Sequence, residues 1–399
     1  MGLNKRKIIT LFCAAGLLSA VFASGFFLGK SQAEYIVFPP SDVDMSLFWE
    51  SWKTLQKKYL NKEEIDPQKM IYGAIGGMVK SLGDPYTVFF NPEENKRFME
   101  DVSGKFEGVG MEIGIRKGQL QIIAPLEGTP AQKIGLRAGD KILKINDTLN
   151  SDISVEEAVN LIRGQKGTHV SLTISRNGWD SPKEFKITRD VIQVPSLKWE
   201  LKSTPEGESV AYIKIYQFSA KAGSDFQKAA AEILKSPAKK IIVDLRNNPG
   251  GYLEVAQDIS GWFLKNGDIV VIEDFGGKRE KKDYKSSGPS KFTEYPMIIL
   301  INQGSASGSE ILAGALRDNR GVKLLGEKSF GKGSVQEVSD LKGGSSLKIT
   351  IAKWLTPKGE LINEKGLEPD INVEMTDQDY DEEKDPQLNK ALEELVKIR

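Results

Sequence analysis

Between residues 44 and 100, apolar side chains recur every three or four positions. Phe48, Trp49, Trp52, Leu55 and Tyr59 form one stripe, and Met70, Ile71, Ala74, Ile75, Met78, Val79 and Leu82 form a second. This spacing predicts two amphipathic helices, the second stopped by Gly83-Asp84-Pro85. The aromatic stripe is expected to pack in a core or against a partner helix. From 105 to 180 the period drops to two, as in Leu120-Gln121-Ile122-Ile123 and Val170-Ser171-Leu172-Thr173-Ile174, which predicts half-buried strands. A short helix is expected after Ser154, where Glu157 completes a capping box. From 191 to 373 short apolar runs at 210–215, 240–244, 268–273, 297–302 and 322–325 alternate with helical stretches, an α/β pattern. A last helix over 385–399 places Leu388, Ala391, Leu392, Leu395 and Val396 on one face, with Lys397 and Arg399 at its C-terminal end. The acidic run at 377–385 before it reads as a solvated linker. The chain shows no internal repeat.

Length and charge add limits to that pattern. At 399 residues the chain has room for two or three domains. Lys and Arg number 55, as do Asp and Glu, so a basic nucleic-acid surface is not favoured. Cys13 is the single cysteine, which excludes an internal disulfide and a cysteine-rich zinc site. His169 is the single histidine and sits on the polar phase of a strand, so the chemistry is expected to work without imidazole. Lys5, Arg6 and Lys7 precede an uncharged run at 8–29. Its length suits the ~20 residues of a membrane span better than the ~7–15 of a cleaved leader. An uncleaved anchor is expected, with the rest of the chain outside. Cleavage after Ala33 is the alternative, and either way the body is exported.

Three stretches carry candidate chemistry. In Gly108-Val109-Gly110-Met111 the glycines let backbone N–H groups converge into a nest for a carboxylate. The strand that follows offers an edge to an added peptide, and the helix after Ser154 closes the groove. The second stretch is the pair of strand–turn–helix junctions at 241–251, ending Asn248-Pro249-Gly250-Gly251, and at 299–310, containing Ser305, Ser307 and Ser309. A Gly-Gly turn exposes N–H groups for an oxyanion or a phosphate. A serine at such a junction is displayed near the positive end of a helix. The third is Ser329-Phe330-Gly331-Lys332-Gly333-Ser334-Val335-Gln336. Lys332 is the candidate base for a serine. Lowering its pKa by about three units would require about 4 kcal/mol of desolvation. Gln336 has the reach to orient the amine without adding charge. The same stretch fits GxxxxGK, but Gly333 stands where a P-loop needs Ser or Thr, and a strand pattern follows in place of a helix.

Two resemblances build on these residues. The stretch with Gly108-Val109-Gly110-Met111, Gly128-Thr129-Pro130-Ala131 and Gly135-Leu136-Arg137-Ala138-Gly139-Asp140 is similar to a PDZ domain of the bacterial protease-associated kind. The resemblance implies peptide binding by Val109, Gly110 and Met111, with Arg137 a further contact. The chain from 45 to 399 resembles the carboxyl-terminal processing (tail-specific) proteases. The resemblance rests on Leu82-Gly83-Asp84-Pro85-Tyr86, the Asp-Leu-Arg-Asn-Asn-Pro-Gly-Gly string at 244–251, Gly-Ser-Ala-Ser at 304–307, Phe-Gly-Lys-Gly-x-x-Gln at 330–336 and Gly366-Leu367-Glu368-Pro369-Asp370. It implies a multidomain α/β protein: anchor or leader 1–33, helical region 34–100, PDZ domain 101–185, α/β serine protease core 186–375, and acidic linker with C-terminal helix 376–399.

By the same resemblance Ser307 is the nucleophile, Lys332 the general base, Gln336 the orienting residue, and the N–H groups of Gly251 and Gly308 the oxyanion hole. Gly308 stands where the family commonly has alanine. Expected partners are protein substrates with free apolar C-termini, the membrane and a second copy of the chain. Nucleic acid, metal and organic cofactor are not implied. The alternative is a catalytically inactive PDZ adaptor at the membrane.

Overall fold

The computed structural model describes residues 43–398 apart from 117–118, 127, 138, 177, 377, 380–381 and 383. The expectations for the anchor or leader at 1–33, and for Arg399, fall outside them. No helix among the described residues is long and apolar enough to cross a membrane. The chain divides into two compact units, up to Ile71 and from Tyr72.

In the first unit, helix α1 (Ser46–Lys58) ends on Lys57 and Lys58, the favourable sign for a helix C-terminus. Phe48 and Trp52 each meet Trp49 edge to face, but no α1 residue is buried. The aromatic stripe therefore does not enter a core of the described chain. Helix α2 (Pro67–Lys80) begins in this unit and runs into the next.

The second unit opens with strand β1 (Val88–Phe90) and helix α3 (Pro92–Ser103). Asn91 and Glu94 form a capping box at the start of α3, and Gly104 ends it with φ 69°, a left-handed value that glycine adopts readily. Then come β2 (Lys105–Gly108), β3 (Met111–Arg116), β4 (Gln119–Pro125), the short helix α4 (Pro130–Lys133), β5 (Lys141–Ile145), β6 (Thr148–Leu149), helix α5 (Val155–Ile162), β7 (His169–Ser175), β8 (Lys183–Thr188) and β9 (Asp190–Gln193). Strands β3-β4-β5-β7-β8 form a sheet with β6 at its side, and β2 pairs with β9. The expected Ser154–Glu157 capping box starts α5. Alternation along β7 buries Val170, Leu172 and Ile174 and leaves His169 exposed, where Nδ1 lies 3.1 Å from Thr188 Oγ1.

The rest holds β10 (Leu197–Ser203), β11 (Ser209–Ile215), helix α6 (Ala222–Ile233), β12 (Lys240–Asp244), helix α7 (Leu253–Phe263), β13 (Ile269–Asp274), β14 (Lys282–Lys285), β15 (Met297–Ile301), helix α8 (Gly308–Arg320), β16 (Lys323–Gly326), β17 (Ser334–Asp340), β18 (Ser346–Leu355), β19 (Ile371–Asn372) and helix α9 (Pro386–Val396). The order β10-β11-β12-β15-β16-β19 makes a sheet that is parallel from β11 onward. All five residues of β12 and of β15 are buried, as apolar runs in a two-sided parallel sheet require. Residues of α6, α7 and α8 pack on one face and Ala391 and Leu395 of α9 on the other. A second sheet has β18 at its centre, with β17 along one edge and β1 and β13 along the other.

The acidic run is not all solvated linker. Its last residue, Asp385, pairs with Arg246 at 2.8 Å, and Arg246 pairs in turn with buried Asp244 at 2.7 Å. Tyr212 donates to the same Asp244 at 2.5 Å. A charge buried at Arg246 needs acidic partners, and Asp385 supplies one while capping α9 through Leu388 N–H.

Candidate active site

The loops that leave β12, β15 and β16 carry 245–251, 302–307 and 327–333. These three neighbours of a parallel sheet project their loops from the same C-terminal edge, where α/β sheets place ligands. Ser307 takes the N-cap of α8 with φ 53° and ψ −112°. Such a backbone is costly for a residue with a Cβ and occurs where surroundings enforce it. Here the enforcement comes from Asn248, fully buried. Its carbonyl accepts from Ala306 N–H (3.0 Å) and Ser309 Oγ (2.9 Å), and its side chain ties Ile215 O and Gly250 N–H.

The three serines differ in what their hydroxyls do. Ser305 Oγ donates to Leu245 O at 2.8 Å and accepts from Asn302 N–H, with the residue wholly buried. Ser309 Oγ is engaged with Asn248 O and is likewise buried. Ser307 is half-buried, and its Oγ donates no hydrogen bond to another described residue.

Gly250 presses on the loop that carries Ser307. A Cβ placed there would lie 2.7 Å from Ala306 O and Ser307 Cβ, and its φ of 97° also favours glycine. The next residue, Gly251, forms a bridge with Phe218. The N–H groups of Gly251 and Gly308 donate to no acceptor among the described residues. Gly308 packs under the Phe218 ring, where a Cβ would come within 3.2 Å. Glycine at 308 is thus a fit to that ring as well as a source of loop freedom.

Glu310, 1% exposed, joins the loops that carry Ser307 and Lys332. Its Oε2 accepts the backbone N–H of Ser307 (2.9 Å) and of Lys332 (3.0 Å). Its Oε1 accepts from Ser329 Oγ (2.6 Å) and Gly331 N–H (2.7 Å). Burial pushes its carboxyl up, against the pull of these four donors. Lys332 is half-buried. Burial lowers its affinity for a proton, and the Glu310 charge opposes this. Lys332 Nζ lies 6.0 Å from the Tyr86 ring centroid. Gln336 Nε2 donates to Ser334 Oγ at 2.6 Å, so its amide is turned to that hydroxyl and makes no hydrogen bond to Lys332.

The groove beside β3 has a volume of about 210 Å³ and is lined by Phe106, Val109, Gly110, Met111, Val159 and Arg163 among others. Gly110 has φ 78°, and a Cβ there would meet Thr129 at 2.5 Å. Arg137 does not line this groove. It is exposed in the turn whose N–H is capped by Asp140 (2.9 Å). Arg163 lines it instead, stacked over Phe106 at 4.4 Å and paired with Asp101 of α3 at 2.7 Å.

The profile of Peptidase family S41 matches residues 209–373, the PDZ domain profile 98–175, and that of the Activating protease CtpB N-terminal domain 31–94. Carboxy-terminal processing protease CtpA of Bacillus subtilis is 36% identical over 371 residues, which cover 93% of this chain and 76% of that protein. The chain belongs to the carboxy-terminal processing proteases of peptidase family S41. The carboxyl-terminal-processing protease of Synechocystis is 38% identical over 84% of this chain and 78% of its own. Among solved structures, the photosystem II D1 C-terminal processing protease superposes with a TM-score of 0.54 at 30% identity, covering 83% of this chain and 89% of that one.

In this S41 serine peptidase the residues read from sequence at 251, 307, 308 and 332 lie on neighbouring loops of one sheet edge. Glu310 escaped the sequence reading, although Ser307-x-x-Glu310 is a capping-box pattern. Asn248 and Arg163 carried no such signal. Replacing Glu310 by Gln puts an NH₂ against N–H donors and removes the buried charge. Expected is a fall in kcat of about 100-fold, since a displacement near 1 Å has that effect, with KM little changed. A stability loss of about 1–3 kcal/mol should accompany it. Steady-state kinetics on a peptide and a thermal melt check both, and a normal kcat would deny Glu310 this part.

Proposed function

We propose that this protease is exported, is held at the outer face of the cell membrane by its N-terminal apolar run, and cleaves polypeptides through a Ser307–Lys332 dyad. The observation that carries the dyad is the Glu310 carboxylate, which ties the backbone of Ser307 and Lys332 to one point while Ser305 and Ser309 are engaged elsewhere. Ser307 Oγ attacks the scissile carbonyl as the neutral Lys332 amine takes its proton. The N–H groups of Gly251 and Gly308 hold the oxyanion. The resulting ammonium returns the proton to the leaving amine, and water hydrolyses the acyl-enzyme by the same route in reverse.

In this reading the groove beside β3 takes the substrate's last residues, with the carboxylate on the Gly110 turn and an apolar side chain against Val109 and Met111. Capture at the groove also reaches the catalytic sheet through α3. That helix bonds to Asn160 of α5 through Arg97 (2.8 Å) and to Arg163 through Asp101. It also holds the β17–β18 hairpin through Asn95, bonded to Gly344 O and Ser346 Oγ. The exposed aromatic face of α1 fits a second copy of the chain, giving a homodimer.

A free C-terminus should be cleaved faster than its amide by about tenfold or more, the value of a charge-assisted hydrogen bond. Gly110→Val, which drives a branched side chain into Thr129, should bring that ratio toward one. Equal kcat/KM for acid and amide with the unaltered enzyme would remove the carboxylate nest from the reading. The wider test compares C-termini of exported proteins in cells carrying the active enzyme and Ser307→Ala. Identical C-termini in the two would overturn the processing role.

A further inference from the structure

A lysine in water keeps its proton to about pH 10.4, so a lysine base needs surroundings that disfavour its cation. Burial of Lys332 is one such influence. Outside the strings at 304–307 and 330–336, the Tyr86 ring borders the same amine, and a second side chain, Lys348, feels its charge. The turn before β1 is pinned to β18. Asp84 Oδ1 accepts Tyr86 N–H (2.9 Å), Asp84 Oδ2 accepts the Thr87 hydroxyl (2.5 Å), and Thr87 Oγ1 accepts Thr350 N–H (3.0 Å). These bonds hold the half-buried Tyr86 ring at Lys332 Nζ.

The second is Lys348. On β18 it lies opposite Val338 of β17 and Val88 of β1, while Thr350, two residues on, lies opposite Gln336. Directly opposed residues share a face, and so do residues two apart on a strand, which puts Lys348 on the face of Gln336. Its Nζ is 5.5 Å from the Phe90 ring centroid and 5.4 Å from that of Phe98, two rings stacked 4.9 Å apart. Among the described residues neither lysine is paired with a carboxylate. Burial, and after it the Lys332 charge, weakens the hold of Lys348 on its proton, against Asp84. Repulsion between two ammonium groups is mutual. Glu310 from α8 is the charge that favours the Lys332 cation. Glu364 and Asp84 act with it on Tyr86, which stays protonated.

We infer that Tyr86 and Lys348 are positioning residues for the general base: the ring keeps water from the Lys332 amine, and the Lys348 ammonium, on the sheet face of Gln336, disfavours a second positive charge at Lys332. Both lie outside the strings that mark the dyad, and Tyr86 comes from the segment matched by the N-terminal-domain profile. The inference rests on the Ser307–Lys332 reading.

The test is the pH dependence of kcat/KM on a soluble peptide. A neutral amine is required, so activity rises with pH as Lys332 loses its proton. Lys348→Met removes the neighbouring charge, and Tyr86→Ala admits water. Both favour the Lys332 cation, so the rising limb should move up by about half a pH unit or more. The loss is then about threefold or more below the limb and recovers above it. Lys348→Arg and Tyr86→Phe keep charge and ring, and should leave the limb at its wild-type pH. If Tyr86→Ala does not fold, Lys348→Met, whose Nζ makes no hydrogen bond to a described residue, carries the test. A limb unmoved in Lys348→Met, or a loss equal at every pH, overturns the inference while the dyad stands. A wild-type profile with no rising limb, or an active Lys332→Arg variant, overturns the dyad and this inference with it.

Discussion

Ser307→Ala is expected to abolish peptide cleavage, with kcat lower by about 10⁴-fold or more, the effect of removing a nucleophile whose partners act as a unit. Ser305→Ala and Ser309→Ala keep measurable turnover and fail in a different way. Each removes a hydroxyl from a fully buried hydrogen bond, Ser305 with Leu245 O and Ser309 with Asn248 O. The expected cost is about 1–3 kcal/mol of stability, plus some loss of activity through the shape of the nucleophile loop. Steady-state cleavage and thermal melts on the three variants separate the cases. A dead Ser305→Ala beside a normal Ser307→Ala would move the nucleophile.

Lys332→Arg is expected to be as inactive as Lys332→Ala, each lower by about 10²–10⁴-fold, the usual contribution of a positioned proton-transfer group. Arginine keeps the charge and much of the bulk but does not give up its proton at a working pH. Equal loss in the two variants therefore identifies proton transfer, and not charge, as what the site needs. In the unaltered enzyme burial lowers the hold of Lys332 on its proton. Activity should rise with pH along a limb displaced below the ordinary lysine range. His169 should play no part in that profile. That residue is exposed on β7, hydrogen-bonded to Thr188, and His169→Ala should leave turnover at saturating substrate nearly unchanged. Near-normal turnover in Lys332→Arg would require another base.

The β12 and β15 runs were legible because strands buried on both faces leave unbroken apolar stretches, here 240–244 and 297–301. The α5 start was legible because a capping box is a local device, closed within four residues at Ser154 and Glu157. The strings that hold Ser307, Lys332 and Gly251 could be placed on loops, since each follows a recognisable strand.

What joins those strings was not readable. Glu310 meets Ser329, Gly331 and Lys332 across about twenty residues of sequence, and a hydrogen bond at that separation leaves no period in the chain. Arg246 finds Asp385 from far along the chain, which is why the acidic run read as solvent-facing linker. Arg137 and Arg163 illustrate the same limit within one domain. Both are arginines beside glycine-containing turns, and only the packing of α5 against β3 puts Arg163 in the groove while Arg137 stays in an exposed turn. Local periodicity and capping therefore determined the elements and the strings they display. Tertiary structure alone decided which polar groups share a buried space. Burial and charge pairing depend on atoms brought close by the fold, and the order of residues does not record that closeness.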